Sequence, residues 1–302
     1  MPVFVAPAKL TLSLHITGIR ADGYHLIDAE MVSLDLSDTL DIGTGDGLEL
    51  AFQQPERHMP YGMERQALAG DRAMSDGIST NHAVPDGMGR SRSRDEEADE
   101  ERDGEADGER DAALVVALTE DNLVARALRL VGRRAHVRLT KRIPPGAGLG
   151  GGSADAAAIL RWAGVTDPLL AARLGADVPF CVRNGRARVS GIGEVLQPLP
   201  FEARRLTLLT PPFGCSTVEV YRAWDRLGGP AGEAGNDLEP AALAIEPRLA
   251  TYRDHLAAAT GLRPRLAGSG STWFVEGDFP GPGRLVVSTS PATDPATTPA
   301  ER

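Results

Sequence analysis

Apolar and polar positions alternate from the start of the chain. Leu10, Leu12, Leu14 and Ile16 interleave with Thr11, Ser13, His15 and Thr17, the period of a strand with one buried face. A short apolar run, Val3–Pro7, precedes them. Asp22-Gly23 marks a turn, and strand-like runs follow at Tyr24–Leu36, Thr39–Ile42 and Leu48–Phe52. The period lengthens at Asp121–Arg133, where Leu123, Ala127, Leu128, Leu130 and Val131 predict a helix with Asp121 as its N-cap. Ala135–Thr140 reads as a strand, Ser153–Trp162 as a helix of small residues and Asp167–Leu174 as a short helix. Strands are predicted near Phe180–Val182, Ala187–Ser190 and Leu206–Thr210, and helices over Thr217–Arg226, Asp237–Ala244 and Pro247–Thr260. A strand–turn–strand unit fits Arg263–Phe274. Strands and helices mixed without strict alternation predict an α+β fold rather than a doubly wound sheet.

One stretch has no period. From Gln53 to Asp111 the chain is rich in Gly, Asp, Arg, Ser and Met, and poor in β-branched residues. A structureless loop of that length inside a compact domain is improbable, so 53–111 reads as a disordered insertion within one domain. Loop-closure entropy grows slowly with length, so deletion of 54–111 is expected to leave folding intact. Order is expected to resume at Ala112–Leu118. The Pro/Thr-rich end, 290–302, reads as a disordered tail.

Charge confirms this division. The 302 residues carry a net charge of −10, but residues 94–111 alone hold eleven acids against three arginines. The rest is close to neutral, which argues against a nucleic-acid binder. No apolar run has the length of a membrane span, and MPVFVAPAKL lacks the pattern of a secretory signal. The two cysteines, Cys181 and Cys215, lack metal-type spacing and fit a reducing compartment, so a cytoplasmic protein is expected. Basic residues are nearly all Arg; the lysines are Lys9 and Lys141. An ammonium can approach a single oxygen as a compact charge, which a planar guanidinium cannot do.

The chemistry concentrates in PPGAGLGGGSADAA, Pro144–Ala157. Gly146, Gly148, Gly150, Gly151 and Gly152 lie just before Ser153 and an Ala-rich helix. Glycines let backbone N–H groups approach an anion, and a helix N-terminus adds unpaired donors and a positive dipole end. Ser153 can cap the helix or offer its hydroxyl to a metal or phosphate oxygen. No Lys follows the glycines, which excludes the common P-loop, and the dinucleotide-binding fingerprint does not fit either. Lys141, just before the loop, faces phosphate or lies solvated at a strand end.

This segment resembles the central motif of the GHMP kinases, the family of galactokinase, homoserine kinase and mevalonate kinase. Pro7–Leu14 (PAKLTLSL) resembles the first motif of that family and Leu266–Phe274 (LAGSGSTWF) the third. Pro7–His25, Leu174–Phe180 (LGADVPF), Gly191–Leu199 (GIGEVLQPL) and Asn236–Leu243 (NDLEPAAL) narrow the resemblance further. They are similar to the branch that acts on a cytidine diphosphate methylerythritol in non-mevalonate isoprenoid biosynthesis. The resemblance covers 1–52 and 112–276. It implies a two-lobed GHMP kinase fold, with a ribosomal-protein-S5-like N-terminal part over 1–200 and a ferredoxin-like C-terminal part over 201–289.

The resemblance also implies ATP-dependent phosphorylation of the 2-hydroxyl of that small molecule, with Mg²⁺ as cofactor, in a monomer or homodimer. Lys9 and Asp177 match the family's catalytic pair. The loop from Pro144 and Pro145 through Gly146, Ala147, Gly148, Leu149, Gly150, Gly151 and Gly152 to Ser153 and Ala154 matches its ATP-binding segment, with Ser153 near Mg²⁺. The Gly268–Gly270 turn supports the same site. Tyr24 matches the residue that stacks on cytosine, His25 the one that bonds its edge, and Tyr221 a second stacking aromatic. Thr11 stands where the family has Asn, the Ser153–Asp177 stretch is short for the family, and its long final helix is missing after Phe274. Two rival expectations follow: a GHMP kinase for another alcohol, or a binding protein with impaired catalysis.

Overall fold

The computed structural model describes residues 2–53 and 122–292, all within one compact unit. Most of the expected insertion, the stretch Ala112–Leu118 and the tail beyond Ala292 lie outside the described residues. Among those described, ten strands form one sheet: β1 (Val3–Ile19), β2 (His25–Gly43), β3 (Gly47–Phe52), β4 (His136–Lys141), β5 (Arg186–Gly191), β6 (Val195–Pro198), β7 (Arg205–Leu209), β8 (Arg265–Leu266), β9 (Trp273–Glu276) and β10 (Arg284–Ser290). Seven helices accompany them: α1 (Leu123–Leu130), α2 (Gly151–Trp162), α3 (Pro168–Ala172), α4 (Val178–Arg183), α5 (Thr217–Arg226), α6 (Glu239–Ile245) and α7 (Leu249–Thr260).

The long strand β2 organises the sheet. Antiparallel β1 runs along one edge of it from Val3↔Asp41 to Ile19↔His25. Its other edge serves three partners in turn: β5 against Ile27–Val32, β10 at Ser33 and Leu34, and β4 against Thr39–Gly43. β3 then pairs in parallel with β4, and β6 adds to β5. β10 turns from β2 to pair with β7, which continues through β9 to β8. Gln53 belongs to this scaffold, since its N–H donates to Lys141 O at 2.8 Å.

Strand β1 departs from the predicted pattern of one buried face. Leu10, Leu12 and Leu14 are buried as expected, but Lys9 and Thr11 on the opposite face are buried too. The glycine loop and the Gly268 turn cover that face: Lys9 N–H donates to Leu149 O at 3.0 Å, and a side chain at Gly268 would meet Thr11 Oγ1 at 3.4 Å. Register shifts between Pro7 and Lys9 and between Thr11 and Ser13 bracket this segment. Such irregularities re-aim side chains locally, and they occur beside the one lysine of the strand.

The predicted strand near Phe180–Val182 is instead helix α4. Val178, Pro179, Phe180, Cys181 and Val182 are all buried, so no polar face marks the helical period. The predicted cap Asp121 lies outside the described residues; Asn122 caps α1, its side chain accepting from Val124 N–H at 2.8 Å. No helix among the described residues is long and apolar enough to cross a membrane.

Candidate active site

The glycine loop is held open by its own backbone. Gly146, Gly148 and Gly150 have φ of +72°, +75° and +70°, a region costly for any residue with a Cβ. Space also demands glycine: a Cβ on Gly148 would stand 2.4 Å from Gly270 O, and one on Gly150 would stand 2.7 Å from Lys9 Cγ. The loop is thus packed between the Gly268–Gly270 turn and Lys9. Gly150, in the left-handed conformation, forms the N-cap of α2, which begins at Gly151 without any side-chain cap. Ser153 is therefore not the cap. It sits inside the first turn, where the amides of Gly151, Gly152 and Ser153 precede the first helical bond, Ala154 N–H to Gly150 O at 2.8 Å. Free amides at a helix N-terminus attract anions.

Beside the loop lies a cavity of about 540 Å³ lined by Lys9, Thr11, Tyr24, His25, Ser153, Asp177 and Tyr221, with Gly268 and Ser269 from the supporting turn. Lys9 Nζ is 3.1 Å from Asp177 Oδ2 and donates to Thr11 Oγ1 at 3.2 Å. The lysine side chain is 7% exposed and the aspartate 31%, so the carboxylate meets the cavity while the ammonium is sheltered. Asp177 occupies the N-cap position of α4 but makes no cap hydrogen bond, which leaves its oxygens to Lys9 and the cavity. Thr11, where the resemblance expects Asn, keeps one link to the lysine.

The aromatic residues divide unequally. Tyr24 is 58% exposed, with the Arg20 guanidinium 5.3 Å from its ring centre. His25 packs tilted against Tyr221 at 4.8 Å between ring centres, and burial holds the Tyr221 phenol well above its usual pKa. The two tyrosines line a common cavity. A second cavity, about 340 Å³, is lined by Pro144–Gly152, the apolar Leu50, Phe52, Leu123, Val124 and Leu139, and the polar Asn122, Lys141 and Asp155.

Lys141 is not solvated: its side chain is largely buried and lines this second cavity, close to Gly151. Its ammonium is clamped between Asp38 Oδ2 at 2.5 Å and Asp155 Oδ2 at 2.6 Å. Asp38 also accepts the N–H groups of Arg142 at 2.5 Å and Ile143 at 2.8 Å. The cluster ties β2 and β4 to α2 directly beneath the loop. Burial lowers the Lys141 pKa, but Asp155 and Asp38 more than reverse it. Burial pushes Asp155 up to about 7 against the pull of Lys141, helped by the charge of Asp38. Asp155 Oδ1 is buried without a partner. Sequence reasoning missed both carboxylates: Asp38 lies 103 positions from Lys141, and Asp155, only 14 away, meets it only once α2 and β4 have packed.

Asn236 was also missed as a supporting residue. Its amide donates to Leu266 O at 2.8 Å and Gly268 O at 2.7 Å, and its oxygen accepts Leu238 N–H at 3.0 Å. It anchors the third glycine turn beside Lys9. Asp225 was missed as well: its Oδ1 lies 2.8 Å from His25 Nε2.

Residues 122–185 match the family model described as GHMP kinases N terminal domain. A 4-diphosphocytidyl-2-C-methyl-D-erythritol kinase of Paracoccus denitrificans is 34% identical over 89% of this chain and 84% of its own length. The enzyme of the same name from Ruegeria pomeroyi is 32% identical over 95% and 92%. Among solved structures, a 4-(cytidine 5'-diphospho)-2C-methyl-D-erythritol kinase superposes with a TM-score of 0.57 at 27% identity, covering 95% of this chain and 98% of that one. An L. major mevalonate kinase in complex with R-mevalonate shares the fold at a TM-score of 0.52 and 13% identity, covering 96% of each chain.

Proposed function

The chain belongs to the 4-diphosphocytidyl-2-C-methyl-D-erythritol kinase family of GHMP kinases, and from that premise we propose that it transfers the γ-phosphoryl group of ATP to the 2-hydroxyl of this substrate, a step of non-mevalonate isoprenoid biosynthesis. The observation that carries the reading is the Lys9–Asp177 pair, 3.1 Å apart, in a cavity that also contains Ser153 at the head of α2.

Phosphoryl transfer needs an aligned acceptor, neutralised phosphate charge and a destination for the hydroxyl proton. Asp177 orients the acceptor hydroxyl and takes its proton. Lys9 stabilises the charge on the transferring group and, 3.1 Å from Asp177 Oδ2, holds that carboxylate toward the acceptor. The amides of Gly151, Gly152 and Ser153 and the positive-φ loop cradle the phosphates, and the second cavity receives the nucleoside. Tyr24 and Tyr221 enclose the cytosine, whose edge meets His25. The two free thiols suit a reducing cytoplasm.

A magnesium ion carried mainly by phosphate oxygens and water needs only one or two protein oxygens. Ser153 and Asp177 line one cavity and meet that need, while no larger group of potential metal ligands occurs among the described residues. We assign the ion to Ser153, where it neutralises phosphate charge when bound.

The test is ADP release by the purified chain with ATP, Mg²⁺ and the cytidyl substrate. Release that depends on this substrate supports the proposal. Release with another small alcohol alone assigns a different acceptor, and nucleotide binding without turnover assigns a binding role.

A further inference from the structure

His25 is fixed at one nitrogen and on two sides of its ring. Nε2 lies 2.8 Å from Asp225 Oδ1, Tyr221 packs against the ring, and Trp224 meets it edge-on at 5.5 Å between ring centres. All three partners come from α5, where Tyr221 and Asp225 are one turn apart and share a face. The histidine side chain is 10% exposed and the aspartate 43%, so the pair sits at the cavity wall. Nδ1 makes no hydrogen bond to the described residues.

A carboxylate only accepts hydrogen bonds, so Nε2 carries the ring proton. In the neutral ring Nδ1 is then a bare acceptor. A cytosine joined to ribose has one hydrogen-bond donor on its edge, the exocyclic 4-amine; uracil in the same pose presents a carbonyl oxygen there. An acceptor-only Nδ1 therefore bonds cytosine at the 4-amine and sets lone pair against lone pair with uracil.

We propose that Asp225 is a positioning residue that fixes the Nε2–H tautomer of His25 and so makes this cavity select cytosine over uracil. The inference rests on the reading of the cavity as the cytidyl site. It assigns discrimination between bases to a residue that acts through the His25 ring.

Calorimetric titration of the full chain at pH 8 with CDP and with UDP tests it. The loop cavity is first saturated with a non-hydrolysable ATP analogue. The wild-type protein binds CDP more tightly. Asp225→Asn offers Nε2 either a donor or an acceptor and supports both tautomers, so the CDP/UDP preference falls about tenfold, the weight of one hydrogen bond. Asp225→Glu restores the carboxylate and most of the preference. An unchanged ratio in Asp225→Asn, with CDP still bound, overturns the tautomer role alone. Wild-type protein that binds neither nucleotide overturns the cytidyl-site reading itself. Because the preference is a ratio, a general loss of stability in a variant does not imitate it.

Discussion

Lys9 on β1 reaches Asp177 at the head of α4 with 3.1 Å between ammonium nitrogen and carboxylate oxygen, and the glycine loop packs against the lysine stem. The carboxylate, the ammonium and the glycine loop are thus one packed unit. Removing the charge of Asp177 while keeping its shape isolates the proton-accepting role proposed for it. Asp177→Asn is expected to lower kcat by about 10²–10⁴-fold, the usual weight of a positioned general base. Affinity for ATP should be nearly unchanged in equilibrium titration. Undiminished turnover would remove Asp177 from the reaction.

Gly148 cannot accept a methyl group. The new Cβ would strike Gly270 O at 2.4 Å in a backbone conformation of φ +75°. One atom is a backbone oxygen and the other is fixed in place by the backbone, so no rotamer relieves the clash. Gly148→Ala should lower Tm by about 5 °C or more and weaken ATP binding, since the left-handed conformation alone costs about 1–2 kcal/mol. Calorimetric melting and nucleotide titration read the two effects separately.

Tyr24 is exposed and contributes little to the core. Tyr24→Ala should therefore leave Tm in place and raise KM for the cytidyl substrate. Base–aromatic stacking is worth about 1–3 kcal/mol, or roughly a 5–150-fold change. KM for ATP serves as the internal control. Equal loss for both substrates would mean that the tyrosine shapes the site as a whole.

Asp155 gives a pH signature. Its folded-state pKa, pushed up to about 7, lies above its value in the unfolded chain. Between about pH 4 and 7 the folded protein holds a proton that the unfolded chain has released, so this site's contribution to stability is present at low pH and lost as pH rises through 7. Asp155→Asn mimics the protonated form. Its Tm relative to wild type should increase from pH 5 to pH 8, and a constant difference across that range would show that Asp155 does not titrate there.

The legible parts of the sequence were those with a local cause. Helix α5 was bounded correctly at Thr217 and Arg226, because Ser216 caps it and its apolar residues keep helical spacing. The site was approachable through glycine, whose clustering has few other physical reasons. Helix α4 was misread because a segment buried on every side carries no amphipathic period. The destination of Lys141 was unreadable because its partners, Asp38 and Asp155, meet it only once β2, β4 and α2 have packed. Asp225 was hidden in the same way: its partner is at the opposite end of the chain, and only the tertiary fold brings the two together.

Strand β10 has one further implication, for the order of assembly. Ser290 bonds back to Leu34 O across 256 positions, while the other edge of the strand is laid against β7. Until β10 emerges and docks, the stretches of β2 and β7 that it pairs with are open hydrogen-bonding edges. A nascent or truncated chain ending before Arg284 is thus a sticky object, prone to recruit a stray strand from a neighbour. Solubility during synthesis is expected to depend on how quickly β10 slots into place.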